Sequence, residues 1–426
     1  MKNEMAAAGL LAISPVSTHC VAERSMPLDS IWSGGGVDTA WKNVQRQSLG
    51  IAMSRQDRGL TRLSRRTRNG FKNAALALHL AINVERRDSI AIRVTGGMGD
   101  HIVAVRFIRD LLSHFGHAKI DVYSVTGGMG WLYEPLPDVT FIEAPRRVFT
   151  WVTRRYILVL QITHTVDLVH MSSAAAERWP ELLAMLQSIA PYRKMFSHAI
   201  DAHPHLDFHP ALVAQFQNVR RDTFLNHVSG VPFGGHQYPL PEDASLVQSL
   251  GLDHKPYITV HNSFNEESGR PRATRDYPFL DDVVKEVKAQ LPDLPVVQVG
   301  VVGGTLSSAD YNLSSKTTQP QITSVLANSS MHFDMEGGLV HIASCVGTPC
   351  CVVFGPTPIG YYAYPNNINI APRVCGGCWS LTLDWQKTCL LGAAEPPCMF
   401  TQPPKAVAHA ALPHLRVLLS EKRRSG

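Results

Sequence analysis

No stretch of about 18 apolar residues free of charge occurs in this sequence, and that absence excludes a membrane-spanning helix. A clean small-x-small cleavage site is missing as well. The opening segment MKNEMAAAGLLAISPVSTHC has an apolar centre of only about ten residues and places Glu4 where a secretory leader carries positive charge, so it does not read as one. Charged residues are sparse, 18% against 45% hydrophobic, and that balance excludes a chain disordered throughout. Without a leader the eight cysteines belong to a reducing compartment, where they read as ligands or reactive thiols before disulfides. The expectation is a cytoplasmic protein whose 426 residues make two domains and an extension.

The net charge of +5 is unevenly placed. Between Arg55 and Arg87 stand Arg58, Arg62, Arg65, Arg66, Arg68, Lys72 and Arg86, against Asp57 and Glu85. Such a stripe suits peripheral contact with an anionic inner-membrane surface or a phosphorylated glycolipid; its ordinary reading is the solvated face of a helix. Nothing calls for a nucleic-acid partner. Residues 1–55 show no sustained period, and helical spacing begins only at RNGFKNAALALHLAINVERRD. Residues 1–88 are therefore assigned to a basic, partly disordered extension.

From residue 89 strands and helices alternate. SIAIRVT (89–95), KIDVYS (119–124) and VTFIEA (139–144) read as strands, with GDHIVAVRFIRDLLSHFG (99–116) as a helix between the first two. Residues 174–228 read as mainly helical, ERWPELLAMLQSIA most clearly, and the Pro/Gly-rich SGVPFGGHQYPLPED (229–243) as a linker. YITVHNS, PVVQVG, MHFDM and CCVVFG then alternate as strands with the helices PFLDDVVKEVKAQL, QITSVLANS and GLVHIASCVG. The pattern predicts an α/β protein of two Rossmann-like domains, 89–245 and 246–426, with ligands at the carboxyl ends of the strands in the cleft between them.

The first strand runs into VTGGMGDHIVAV. Gly97 and Gly99 let backbone approach a ligand, and the helix start offers free N–H groups to an anion. A nicotinamide site is the rival reading, but Ile102 stands where its fingerprint needs a third glycine, and the next acid, Asp121, lies inside a strand. Asp100, in the first helical turn, is either a cap or a base placed to take a proton from an acceptor hydroxyl. In the second half FDMEGGLVHIASCVGTPCCVVFGPT repeats the logic: Asp334 and Glu336 at a strand end, Gly337 and Gly338 freeing backbone, and a helix N-terminus open to a diphosphate. His341, one turn on, is a phosphate ligand or a satisfied core histidine.

These two glycine-rich turns together resemble those of glycosyltransferase family 9, the ADP-heptose:lipopolysaccharide heptosyltransferases and relatives. The resemblance covers about residues 89–415 and is weak through 145–255. It implies a GT-B fold and inverting transfer from a nucleotide-activated sugar without a catalytic metal, with Asp100 as general base. The family's acid-x-glycine-x-x-histidine motif is matched by Glu336, Gly338 and His341, glutamate standing for aspartate. Its TKxWP segment is matched by TRDYP (274–278), where Arg275 replaces the phosphate-binding lysine and can chelate two phosphate oxygens. Asn262 and Ser263 close a strand where phosphate or ribose would lie, or are plain loop residues. The implied donor is an ADP-sugar, the acceptor a glycolipid, glycan or protein, and an oligomer is compatible with all of this.

Cys375, Cys378, Cys389 and Cys398 follow a C-x2-C-x10-C-x8-C spacing that can close a tetrahedral thiolate site for structural iron or zinc. The CGGCW form is similar to the iron-binding loop of autotransporter heptosyltransferases. Reduced or disulfide-paired cysteines are the other reading; Cys345, Cys350 and Cys351 read as core. The competing function is a non-catalytic sugar-nucleotide-binding or assembly protein with a metal-clipped loop.

Overall fold

The computed structural model describes residues 88–197, 208–262, 273–301, 304–379, 381–382 and 384–425. All belong to one unit, Gly59–Gly426. The basic extension, the helix expected from residue 68 and Ser263 lie outside the described residues.

Two sheets organise the chain. The first contains β1 (Ile90–Val94), β2 (Ile120–Ser124), β3 (Val139–Glu143), β4 (Leu158–Ile162) and β5 (Val166–Met171), in the order β3-β2-β1-β4-β5. All pairs are parallel except β4 with β5. The second contains β6 (Ile258–Val260), β7 (Val296–Gln298), β8 (Tyr311–Asn312), β9 (Met331–Met335), β10 (Cys350–Val353) and β11 (Ile368–Ile370), ordered β11-β10-β9-β6-β7-β8 and parallel throughout. Central strands such as IDVYS, MHFDM and CCVV are buried along their whole length, as parallel strands covered on both faces must be.

The helices that matter for the site are α1 (Met98–Phe115), α2 (Arg146–Val152), α3 (Glu181–Met195), α4 (Arg221–Ser229), α5 (Leu280–Gln290), α6 (Gln319–Ala327), α7 (Gly338–Val346) and α8 (Pro404–Ser425). The helix expected across ERWPELLAMLQSIA is two, Ser173–Arg178 and then α3. Pro180 separates them, because it has no N–H to continue a ladder. The strand expected at YITVHNS shortens to three residues, and four strands are additions: β4 and β5, which form a hairpin, and the short edge strands β8 and β11.

One apolar cluster runs from Ile90, Ile92 and Phe107 at the first sheet, through Ile342 and Cys345 of α7, to Val325 of α6 and Val297 of the second sheet. A second cluster joins α5 and α8 to the other face of the second sheet. Of the segment 229–243, Ser229 ends α4 and residues 231–243 form no helix or strand. Cys345, Cys350 and Cys351 are buried in this core, as expected, and burial pushes each thiol up. Among the described residues no helix is long and apolar enough to cross a membrane.

Candidate active site

Two helix N-termini meet. β1 ends in a turn that starts α1, β9 in a turn that starts α7, and each contributes a glycine against the other half. A Cβ on Gly99 would sit 2.6 Å from His341 Cδ2, and one on Gly338 would come within 3.3 Å of Met98 Sδ. Only hydrogen fits at Gly99, so the first glycine motif is needed for contact between the halves as well as for a turn. Gly97 differs: a Cβ there would meet nothing within 4 Å, leaving open space beside the backbone.

Asp100 is held from three sides. Its Oδ2 accepts the Gly97 N–H at 3.0 Å, and its Oδ1 accepts from Arg221 Nη2 at 3.1 Å. Gly96 has φ +118°, and a Cβ there would lie 2.2 Å from Asp100 Oδ2, so glycine is required to let the carboxylate fold back on its own turn. Burial by itself would raise the Asp100 carboxyl; the Arg221 guanidinium, His164 and the Gly97 N–H outweigh it and hold the group below the usual carboxylate range. Asp100 is thus ionised at neutral pH, the state a base needs, and it keeps 30% of its side chain exposed. Arg221 is itself buried at the start of α4 and also donates to Thr163 O at 3.2 Å. His164 occupies the tip of the β4–β5 hairpin, which Thr163 N–H closes on Thr165 O.

Across from it stands the second group. Arg275 Nη1 donates to Glu336 Oε2 at 2.8 Å, and His341 Nε2 lies 3.8 Å from Glu336 Oε1. His341 Nδ1 is 2.7 Å from the Tyr364 hydroxyl. Glu336, Gly338, Arg275 and His341 are therefore assembled in one place. Asp334 is not part of it: fully buried, it accepts from His261 and His332, and these bonds hold its carboxyl low despite the opposing effect of burial. Asn262 is occupied too, donating to Gly304 O at 2.7 Å and accepting from Gln298 at 3.0 Å, which ties it to the segment at Gly304 after β7. Tyr277, the counterpart of the family's tryptophan, is core: its hydroxyl donates to Gln402 O and its N–H to Met335 Sδ.

The cysteine loop turns out to be a wall of this site. Trp379 N–H donates to Pro356 O and Gly377 N–H to Gly355 O, docking the loop on the FGPT turn. Thr274 Oγ1 and N–H donate to the carbonyls of Trp385 and Gln386, and the Arg275 guanidinium lies over the Trp385 ring, 5.4 Å from its centroid. Trp379 packs edge-on against Trp385, Tyr362 and His164. The loop therefore touches the surroundings of both Arg275 and Asp100.

Its four thiols gather. Cys398 is pushed up to about 12, by burial first and then by Cys375, Cys378 and Cys389, and it is hydrogen-bonded with Cys375. Yet among the described residues no three His, Cys, Asp or Glu side chains stand in an arrangement that could hold a metal ion. The donor chemistry suits iron or zinc; the arrangement does not fit, and no step of the chemistry below uses a metal there. Asp121, inside β2, accepts from the Tyr156 hydroxyl at 2.7 Å within the first half. Two cavities of about 410 and 530 Å³ flank Gly234 in the linker and include neither Asp100 nor Glu336.

Sequence reasoning missed Arg221, His164, Tyr364 and Trp385. Arg221, His164 and Tyr364 sit in no motif, and Trp385 lies inside the cysteine spacing, where only the cysteines carried a signal; each reaches the site from a distant part of the chain.

No family model and no curated protein matches this chain. Solved structures do. A family 9 glycosyl transferase from Veillonella parvula superposes with TM-score 0.50 at 12% identity, over 78% of this chain and 98% of that one. The E. coli ADP-heptose lps heptosyltransferase II gives 0.46 at 14%, over 79% and 99%. TibC, the dodecameric iron-containing heptosyltransferase of enterotoxigenic E. coli, gives 0.47 at 12%, over 80% and 77%. The two Rossmann-like halves, joined at their glycine turns across a central cleft, are thus the GT-B fold that this chain shares with a solved family 9 glycosyltransferase.

Proposed function

We propose that this protein is an inverting glycosyltransferase that moves a sugar, heptose in the reading favoured by its motifs, from an ADP-linked donor to a hydroxyl of a surface glycan, glycolipid or protein. The observation that carries the reading is the confrontation of an ionised Asp100 in the first half with the Arg275–Glu336–His341 group in the second. In this reading residues 89–245 hold the acceptor and 246–426 the donor.

The chemistry is a single displacement. Asp100 takes the proton of the acceptor hydroxyl, whose oxygen attacks the anomeric carbon from the face opposite the nucleotide. The bond to the diphosphate breaks, and its charge falls on Arg275 and on the N–H groups of Gly337, Gly338, Leu339 and Val340. Glu336 accepts sugar hydroxyls while holding the guanidinium in place. Held by Gly97 and Arg221, Asp100 is ionised before the step; it is protonated by the acceptor hydroxyl during transfer and returns that proton to water afterwards.

The test is a calorimetric titration with ADP, ADP-heptose, UDP-glucose and NAD on the wild type and Arg275→Ala. ADP and ADP-heptose bind the wild type, and the substitution weakens both about 10- to 100-fold, the size of a lost charged hydrogen bond. Failure of every nucleotide to bind would sink the transferase reading; NAD alone binding would return the site to the dinucleotide class.

A further inference from the structure

We propose that Arg106, acting through the Tyr364 hydroxyl, holds His341 as the neutral tautomer with its proton on Nε2, so that the ring presents an N–H donor to the site beside Glu336. Arg106 comes from the middle of α1, in the first half, and is buried. Its Nη2 donates to Tyr364 Oη at 2.5 Å, and its Nη1 donates to His236 O in the linker at 3.1 Å. Tyr364 and His341 belong to the second half, 2.7 Å apart at Oη and Nδ1.

Counting protons decides the direction of the chain. A guanidinium only donates, so the Tyr364 oxygen accepts from Arg106. Burial pushes the Tyr364 phenol up, so it keeps its single proton. The atom 2.7 Å away that can receive that proton is His341 Nδ1. Nδ1 is therefore an acceptor, and in a neutral imidazole the ring proton sits on the other nitrogen. An imidazolium would make the phenol oxygen accept from two cations and leave the phenol's own proton without an acceptor. The neutral Nε2–H form uses each proton once.

What Nε2–H meets is set by position. Glu336 Oε1 is 3.8 Å away, too far for a hydrogen bond, and the same edge of the ring faces Gly99. With Glu336 out of hydrogen-bond reach, Nε2–H is left to donate to an oxygen of a bound ligand beside Glu336. Resting on the reading above, that oxygen belongs to the diphosphate or the transferred sugar. Arg106 and Tyr364 are positioning residues, and the arrangement makes the donor site depend on a side chain from the acceptor half: only when the halves are in register is His341 the correct tautomer.

The experiment is nitrogen NMR on the full-length protein with ¹⁵N-labelled histidine, the His341 signals being assigned by their loss in His341→Gln. The wild type without ligand shows an unprotonated Nδ1 and a protonated Nε2. Tyr364→Phe and Arg106→Met move His341 toward a mixture of tautomers and weaken ADP binding about tenfold. Arg106→Lys, still an obligate donor, restores the wild-type signals in part. A protonated Nδ1 or an imidazolium in the wild type at neutral pH overturns the proposal, as do unchanged His341 signals in Tyr364→Phe. If the tautomer is as stated but ADP does not bind the wild type, the nucleotide reading fails and the tautomer assignment stands.

Discussion

The two glycine turns begin alike and end differently. TGGMGD starts α1 with an acid in its first turn, and Asp100 bonds back to the Gly97 N–H, so the positive end of that helix already carries a charge. EGGLVHI starts α7 with no acid in its first turn and no side chain capping Gly337; its acid, Glu336, precedes the helix and is engaged by Arg275. The same local motif thus yields a fixed carboxylate in one half and an open N-terminus in the other. An open N-terminus attracts an anion, whereas a self-capped one holds a base. On the proposed reading, this asymmetry divides the work of sugar transfer between two similar folds.

The sharpest way to break this comparison is Asp100→Asn. Transfer should fall about a hundredfold or more, the usual contribution of a general base, while calorimetric ADP affinity stays near wild type. Equal loss of both would mean the two turns are not separate in function. Arg221→Met addresses how the carboxylate is held. With the cation gone, burial is opposed only by His164 and the Gly97 N–H, so the Asp100 carboxyl rises. The sign for activity follows: the acid limb of the kcat/KM profile moves to higher pH, because the base is protonated earlier. The sign for stability agrees, since a carboxyl lowered by folding contributes stability above its unfolded range and loses it as pH falls through the folded one. A profile that stays put would remove Arg221 from the account.

Trp385→Ala tests the second turn from outside. Removing the ring under Arg275 costs about 0.5–2 kcal/mol, so ADP binding should weaken about two- to thirtyfold while an unliganded melting curve changes less. Unaltered affinity would mean that Glu336 alone positions the guanidinium. The smallest effect is expected for Cys398→Ala. Losing a buried sulfur packed against Gly355 should lower stability by about 1–2 kcal/mol, read as a drop of a few degrees in Tm, with the fold retained.

Much of the architecture was legible because its segments carry period and punctuation together. SIAIRVT, KIDVYS, MHFDM and CCVVFG are short runs rich in β-branched, aromatic or sulfur-bearing residues, and each is a strand within a residue or two. The β4–β5 hairpin was not, since YILVLQITHTVDLVHM turns at Thr163-His164-Thr165 without the Gly, Asn or Asp that announces a hairpin. β8 and β11, two and three residues long, are too short to show any period. Asp100, Gly99, Glu336, Gly338, Arg275 and His341 were singled out from motifs and stand around the two glycine turns, whereas for Asn262 the place at a strand end was visible but not the loop at Gly304 that engages its amide.

The four cysteines show the same boundary. Their spacing allows a tetrahedral thiolate site, but whether they form one depends on where the loop and Pro397–Phe400 place four sulfurs, and among the described residues no such arrangement stands. Spacing limits reach and says nothing of direction.

By itself the amino-acid sequence determined the alternation of strands and helices, the two glycine turns and the acids beside them, because these depend on neighbours within one turn of helix or a few residues of strand. Only the tertiary structure decided that Arg221 meets Asp100 from 121 residues away, that the cysteine loop backs Arg275, and that Arg106 reaches Tyr364 across 258 residues. Those contacts arise from how two sheets and their helices pack, and packing at long range leaves no periodic trace in the chain.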